Sequence, residues 1–214
     1  MTEALTPRKQ ALHDAILADF LKEGFRDFTI DAATKRYHCS KSTLYTFGKS
    51  RDEIVRRILI SFFKEIAQTT EAAGRPIANH AESLFAYFDA IRTCLEPASA
   101  EFMHDLATEP VAQRVYDLNT AAAIDEIMRR IETGIEAGEF NSIQPAFAAR
   151  MIQRSMQDIQ QGEYSDVIAT PDAYRELGRI VLRGLDPPAP APASQSHALQ
   201  PNPNNTEENR GSHD

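Results

Sequence analysis

Apolar residues recur along most of the chain at the three- and four-residue spacing of amphipathic helices. Leu12, Ile16 and Phe20, with Leu17 and Leu21 beside them, form the first stripe. It ends at Gly24, which reads as a helix-terminating position needing positive φ. Two short helical patterns follow, Ile30 to about Tyr37 and Lys41 to Phe47, separated by the polar break His38-Cys39-Ser40. Thr29 and Ser40 stand where N-caps belong. From Ser50 a long helix is expected to run to about Ala72, with Ile54, Val55, Ile58, Leu59, Phe62, Phe63 and Ile66 as a double stripe. Five more patterns cover about Asn79 to Leu95, Ala98 to Ala107, Pro110 to Ala137, Pro145 to Gln161 and Pro171 to Gly184. Three of these begin on a proline, which suits the first helical turn because its missing N–H has no partner there anyway. The chain therefore reads as all-α, with nine helices and no strands.

The two short patterns and the break between them make a helix-turn-helix. Ala32 and Ala33 are small, as close packing of the first helix requires. At about 100° per residue, Lys41, Ser42, Tyr45 and Thr46 share one arc of the second helix and Leu44 and Phe47 the opposite arc. One side packs, and the other presents a cation, two hydroxyls and a phenol. These are groups that contact phosphate oxygens and base edges when a helix lies in a major groove. Lys41, Ser42 and Thr46 are the candidates for base readout, and Thr29, Thr43, Tyr45 and Arg51 for phosphates. Arg8 and Lys9, at the start of the first helix, are equally well read as phosphate contacts or as solvated charges.

Composition narrows the class. The 214 residues are 42% hydrophobic and 25% charged, enough for one substantial core or two modest ones. No apolar run approaches the roughly 18 residues of a membrane span, and the polar N-terminus lacks a signal-peptide core, so a cytoplasmic protein is expected. With Cys39 and Cys94 alone, neither a disulfide framework nor a CxxC metal site is available. The net charge of −8 is unevenly divided: residues 1–60 carry 11 Lys and Arg against 8 Asp and Glu, or +3, and the remainder 12 against 23, or −11. An acidic body would steer the modestly basic end toward a duplex.

Ser40-Lys41-Ser42-Thr43-Leu44-Tyr45, followed by Ser50-Arg51-Asp52 and preceded by Gly24-Phe25, resembles the TetR family of bacterial transcriptional regulators. The resemblance is detailed over roughly the first sixty residues. It implies a helix-turn-helix head at 1–52 and a ligand-binding and dimerisation domain at 53–185. It also implies a homodimer on a near-palindromic operator in double-stranded DNA, and a repressor released by a small-molecule effector. The fourth helix would link the two parts. Departures are Ala33 in place of a larger aliphatic residue, His38 in place of glycine, and Gly48-Lys49 in place of an aromatic residue and proline. Ala148, Met151, Ile152, Ser155, Met156 and Ile159 form the apolar stripe expected to face a second subunit. Residues 186–214, rich in Pro, Ala, Asn and Ser, are expected to be a disordered tail.

No GxSxG elbow, GxGxxG or Walker loop, or HExxH is present, and the histidines share no ligand spacing, so no catalytic residue, metal or cofactor is expected. Aromatic and soft side chains between the fourth and seventh helices are numerous enough to line a cavity. Phe63, Phe88, His104 and Tyr116 are the candidate ligand contacts, the last two as polar handles. The competing reading is a helical small-molecule-binding or interaction protein that keeps the helix-turn-helix shape without engaging DNA.

Overall fold

The structure, a computed structural model, describes residues 6–75 and 77–186, so the expectation for the tail lies outside the described residues except at Asp186. Among the described residues there are nine helices and no strands. They are α1 (Pro7–Glu23), α2 (Ile30–Arg36), α3 (Lys41–Leu44), α4 (Arg51–Gly74), α5 (His80–Leu95), α6 (Ala100–Thr108), α7 (Pro110–Glu136), α8 (Pro145–Gln160) and α9 (Thr170–Leu185). Hydroxyl caps set the starts in the first quarter. The side chains of Thr29, Ser40 and Ser50 accept from the N–H of Ala32, Thr43 and Glu53, each at 3.2 Å. The Glu53 carboxylate reaches back to the N–H of Lys49 at 2.7 Å. Each such cap is worth about 1 kcal/mol.

The helix expected over Lys41 to Phe47 is shorter than its pattern. After Leu44 the backbone tightens to three-residue bonding, with the N–H of Thr46 on the carbonyl of Thr43 at 3.2 Å and that of Phe47 on Leu44 at 2.9 Å. This tighter winding carries Phe47 into the core, where only 3% of it stays exposed. There it joins Ile16, Phe20, Phe25, Ala33, Leu44, Ile54 and Ile58. α4 carries the same continuous core onward to α5 and α7, on which it packs, while α9 lies along α5 and α8 along α7.

The stripe expected to face a second subunit is largely internal. Ile152, Met156 and Ile159 are buried against the protein's own helices, and only Met151 of the six is strongly exposed. The outward apolar residues of α8 are Phe147 and Met151, one turn apart, at 67% and 55% exposure. Spacing left both outcomes open: a stripe of six residues on one helix fits inside a monomer as well as between two.

One polar junction joins the head to the body. Asp105 of α6 is only 5% exposed and accepts the backbone N–H groups of Phe25 at 2.7 Å and Arg26 at 2.8 Å. Gly24, at φ +78°, ends α1 beneath it, and a Cβ there would stand 2.5 Å from the Asp105 carboxylate. Two requirements therefore meet in this glycine: a left-handed backbone and room for the acid. Asp105→Ala would leave two inward-facing N–H groups without an acceptor, so a loss of about 2–3 kcal/mol is expected in urea unfolding.

Candidate functional site

The segment from Ser40 to Phe47 divides as an exposed face and an anchored one. Lys41, Ser42, Tyr45 and Thr46 are exposed, Tyr45 by 45%, whereas Leu44 is fully buried. Phe47 is held between the His13 ring, 6.2 Å away, and the Arg57 guanidinium, 5.9 Å from its centroid. A helix of little more than one turn has no stability of its own, so the two buried side chains are what keep the outer four in place. The hydroxyls of Ser42 and Thr43 both lie on Ser40 Oγ, at 2.7 and 2.9 Å, and Thr46 donates to the carbonyl of Thr43 at 2.7 Å. Thr43 is half-buried in this cluster. The Thr29 hydroxyl caps α2 as an acceptor, which leaves its own proton to donate elsewhere.

Electrostatics on this face are mixed. Lys41 Nζ sits 2.6 Å from Asp31 Oδ1, and both residues are well exposed. The hydrogen bond to Lys41 and its charge hold the Asp31 carboxyl below its usual range, and the reciprocal contact raises the ammonium. An exposed pair of this kind contributes little to stability, so Lys41 can be drawn off by a stronger anion. Lys35 and Lys49, both exposed, add cations in α2 and just after α3.

Arg51 does not belong to this face, contrary to its expected phosphate role. Its guanidinium donates to the carbonyls of Phe25 at 2.8 Å, Arg26 at 3.0 Å and Phe28 at 3.2 Å. It also pairs with Glu109 at 2.9 Å and Asp52 at 3.0 Å. Burial alone would lower its pKa, but the hydrogen bonds to Asp52 and Glu109 outweigh that and hold it above the usual value. Arg51 is the brace of the α1–α2 turn. Position after a serine cap suggested a phosphate contact; the carbonyls that consume it are more than twenty residues earlier and left no local signal.

A second site lies in the body. A cavity of about 350 Å³ opens between α4, α5, α6, α7, α8 and α9, and Phe63, Tyr87, Ile91, Leu106, Tyr116 and Tyr174 form much of its wall. Of the four ligand candidates, Phe63 and Tyr116 line it, their rings 6.1 Å apart. Phe88 does not: it is fully buried, packed where α9 crosses α5 at Gly178. His104 is exposed on the far side of α6, in a surface cleft with Glu23, Arg26 and Asp27. It sits one position before Asp105, which faces the head, whereas Met103 and Leu106 face the cavity. Tyr174 was missed because it lies on the last helix, outside the stretch in which aromatic residues cluster. Its hydroxyl is 3.3 Å from that of Tyr116.

No profile of a known protein family matches the chain. It is 26% identical over 147 residues to the HTH-type transcriptional regulator YhgD of Bacillus subtilis, covering 66% of this chain and 76% of that protein. A TetR-family regulator from Agrobacterium tumefaciens superposes with a TM-score of 0.66 at 12% identity, over 84% of this chain and 98% of its own. A TetR/AcrR-family regulator from Thermobifida fusca does so with 0.64 at 15%, over 84% and 98%. The chain has the TetR fold.

Within the TetR fold, two of the unusual residues have a physical account. His38 takes φ +48°, the left-handed conformation for which glycine is suited at that point of the turn. Gly48 lies so close to α4 that a Cβ would fall 2.6 Å from the backbone of Glu53 and Ile54. The side chain of His38 is exposed, so nothing large is lost with it. His38→Gly is expected to raise stability by about 0.5–1 kcal/mol, the relief of left-handed strain exceeding the added freedom of the unfolded chain. Thermal unfolding measures this. Arg51→Ala, in contrast, is expected to lose about 2–3 kcal/mol in the same assay.

Proposed function

We propose that the protein is a DNA-binding transcriptional regulator, a repressor whose grip on its operator is released by a small molecule in the body cavity. What supports this most is the outward set Lys41, Ser42, Tyr45 and Thr46, backed by buried Leu44 and Phe47. A rigid polar ridge of that width, with no close cover from its own chain, is what a major groove accepts. The similarity to YhgD, named as an HTH-type transcriptional regulator, agrees with this reading.

The geometry supports a division of roles. Lys41, Ser42 and Thr46 read base edges, while Thr29 and Tyr45 hold phosphates. Thr43 supports Ser40 and Ser42 from within, and Arg51 braces the turn behind them. Two copies pair through an outer face that includes Phe147 and Met151, so that two heads meet successive half-sites of a near-palindrome. The body cavity takes the effector. Release requires that the effector bind better to a form in which the heads no longer fit the duplex, because equal affinity for both forms would shift nothing.

One observation favours the reading without DNA: the cation of the ridge is already paired with Asp31. The two readings separate on salt. Selection of bound duplexes from a random pool, followed by gel-shift titration at several salt concentrations, is expected to give one palindromic site and steeply salt-dependent affinity. Absence of any duplex binding at low salt would sink the regulator. On the selected site, Lys41→Ala and Thr46→Ala are each expected to cost about 1–3 kcal/mol and relax base preference, while Tyr45→Phe weakens all sequences alike. Asp31→Asn is expected to strengthen binding to every duplex, since it removes a negative charge and frees Lys41.

The pairing has its own measurement. Met151→Glu is expected to shift the protein toward monomer in sedimentation and to weaken the palindromic site far more than a single half-site. Unchanged sedimentation would move the interface elsewhere.

A further inference from the structure

Resting on the reading of α3 as the element that contacts DNA, we infer that His13 is a positioning residue for it. An imidazole oriented by Ser61 sets the seat of Phe47, and with it the placement of Tyr45 and Thr46. α1 buries His13, Ile16 and Phe20, and of these His13 alone is polar, with 6% of it exposed. A polar side chain buried on an apolar stripe costs stability unless it is hydrogen-bonded. This ring has a partner at each nitrogen. Nε2 stands 2.5 Å from Ser61 Oγ of α4, and Nδ1 stands 3.1 Å from Asp14 Oδ1. A carboxylate only accepts, so the ring proton belongs on Nδ1 and Nε2 faces the Ser61 hydroxyl.

Orientation is what these bonds add. Ser61 Oγ also lies 2.8 Å from the carbonyl of Ile58 on its own helix, a local contact that narrows its choice of rotamer. Leucine at position 13 would be held by non-directional contacts alone, whereas the plane of the imidazole is tied to α4. That plane meets Phe47 at 50°, with ring centroids 6.2 Å apart. Phe47 also has the Arg57 guanidinium 5.9 Å from its centroid, and Arg57 Nη1 reaches the carbonyl of Thr46 at 3.5 Å. Arg57 and Ser61 are four residues apart and so share one face of α4. α4 therefore grips the end of the ridge twice, directly through Arg57 and through Ser61 by way of His13. Tyr45 and Thr46 lie between the buried anchors Leu44 and Phe47, on a helix too short to hold its own geometry. A shift of Phe47 is thus a shift of both.

Ser61→Ala, His13→Leu and the double variant test this in the full-length protein, well below the unfolding temperature of each. In the DNA-free protein, Ser61→Ala leaves both rings in place, yet it is expected to move the amide resonances of Tyr45, Thr46 and Phe47. On the duplex selected as above, Ser61→Ala is expected to weaken binding about fivefold, the worth of one hydrogen bond. His13→Leu is expected to weaken it at least as much, and Ser61→Ala to add nothing in the His13→Leu background, because the hydroxyl acts only through the ring. A merely structural pair would lower the unfolding temperature and leave folded-state resonances and affinity alone. Unmoved α3 resonances, undiminished affinity, or a full second loss in the double variant would each overturn the inference. Should the unaltered protein bind no duplex, the DNA reading falls by itself, and the resonances of the DNA-free protein still decide whether His13 sets the ridge.

Discussion

The turn between α1 and α2 is held from two sides by opposite charges, and the placement of the head depends on that arrangement. Its N–H groups, from Phe25 and Arg26, point at the Asp105 carboxylate, and its carbonyls, from Phe25, Arg26 and Phe28, point at the Arg51 guanidinium. A short irregular segment that must pack against another helix cannot leave these groups to solvent. An acid from α6 and a base from α4 satisfy both sets. Glu109, next to the start of α7, closes the loop by pairing with Arg51. α6 therefore touches both functional regions within one turn: Met103 and Leu106 on the cavity, Asp105 on the head.

The helical inventory was open to reading because each helix carries its own punctuation. Thr29, Ser40, Ser50 and Asn79 cap as hydroxyl and amide residues should, and Pro110 and Pro145 open α7 and α8. The outward arc of α3 was equally accessible, since it follows from spacing and from the need of Leu44 and Phe47 for apolar neighbours. Local chemistry of this kind is written within four residues of where it acts.

What escaped was everything set by contacts distant in sequence. Arg51 looks like a surface cation because its neighbours are polar, and only the fold shows three carbonyls converging on it. Phe88 and Tyr116 are both aromatic residues on helical stripes; one faces α9 and the other the cavity, a difference of rotation that periodicity does not resolve between crowded helices. Ile152, Met156 and Ile159 looked available to a second subunit because no rule of spacing says which neighbour a stripe meets. His38 was visible as a departure, yet its left-handed backbone becomes a cost only when the turn around it is seen.

The division of charge acquires a sharper meaning from these placements. The eleven Lys and Arg of the first sixty residues overstate the free cations a duplex would meet, because Arg36 is paired with Asp19 and Glu23, Arg51 with Glu109 and Asp52, and Lys41 with Asp31. Arg36 and Arg51 are spent on architecture. Of the three, Lys41 alone has a single carboxylate partner, and that exposed pair is cheap to break, since water and salt already screen it. On the proposed function, affinity for arbitrary DNA would then be low, and the lysine would become available chiefly where a phosphate or a guanine edge competes for it. A weakly basic head would on that proposal be a means of discrimination, because the energy that favours one site over another is not swamped by a field that favours all of them.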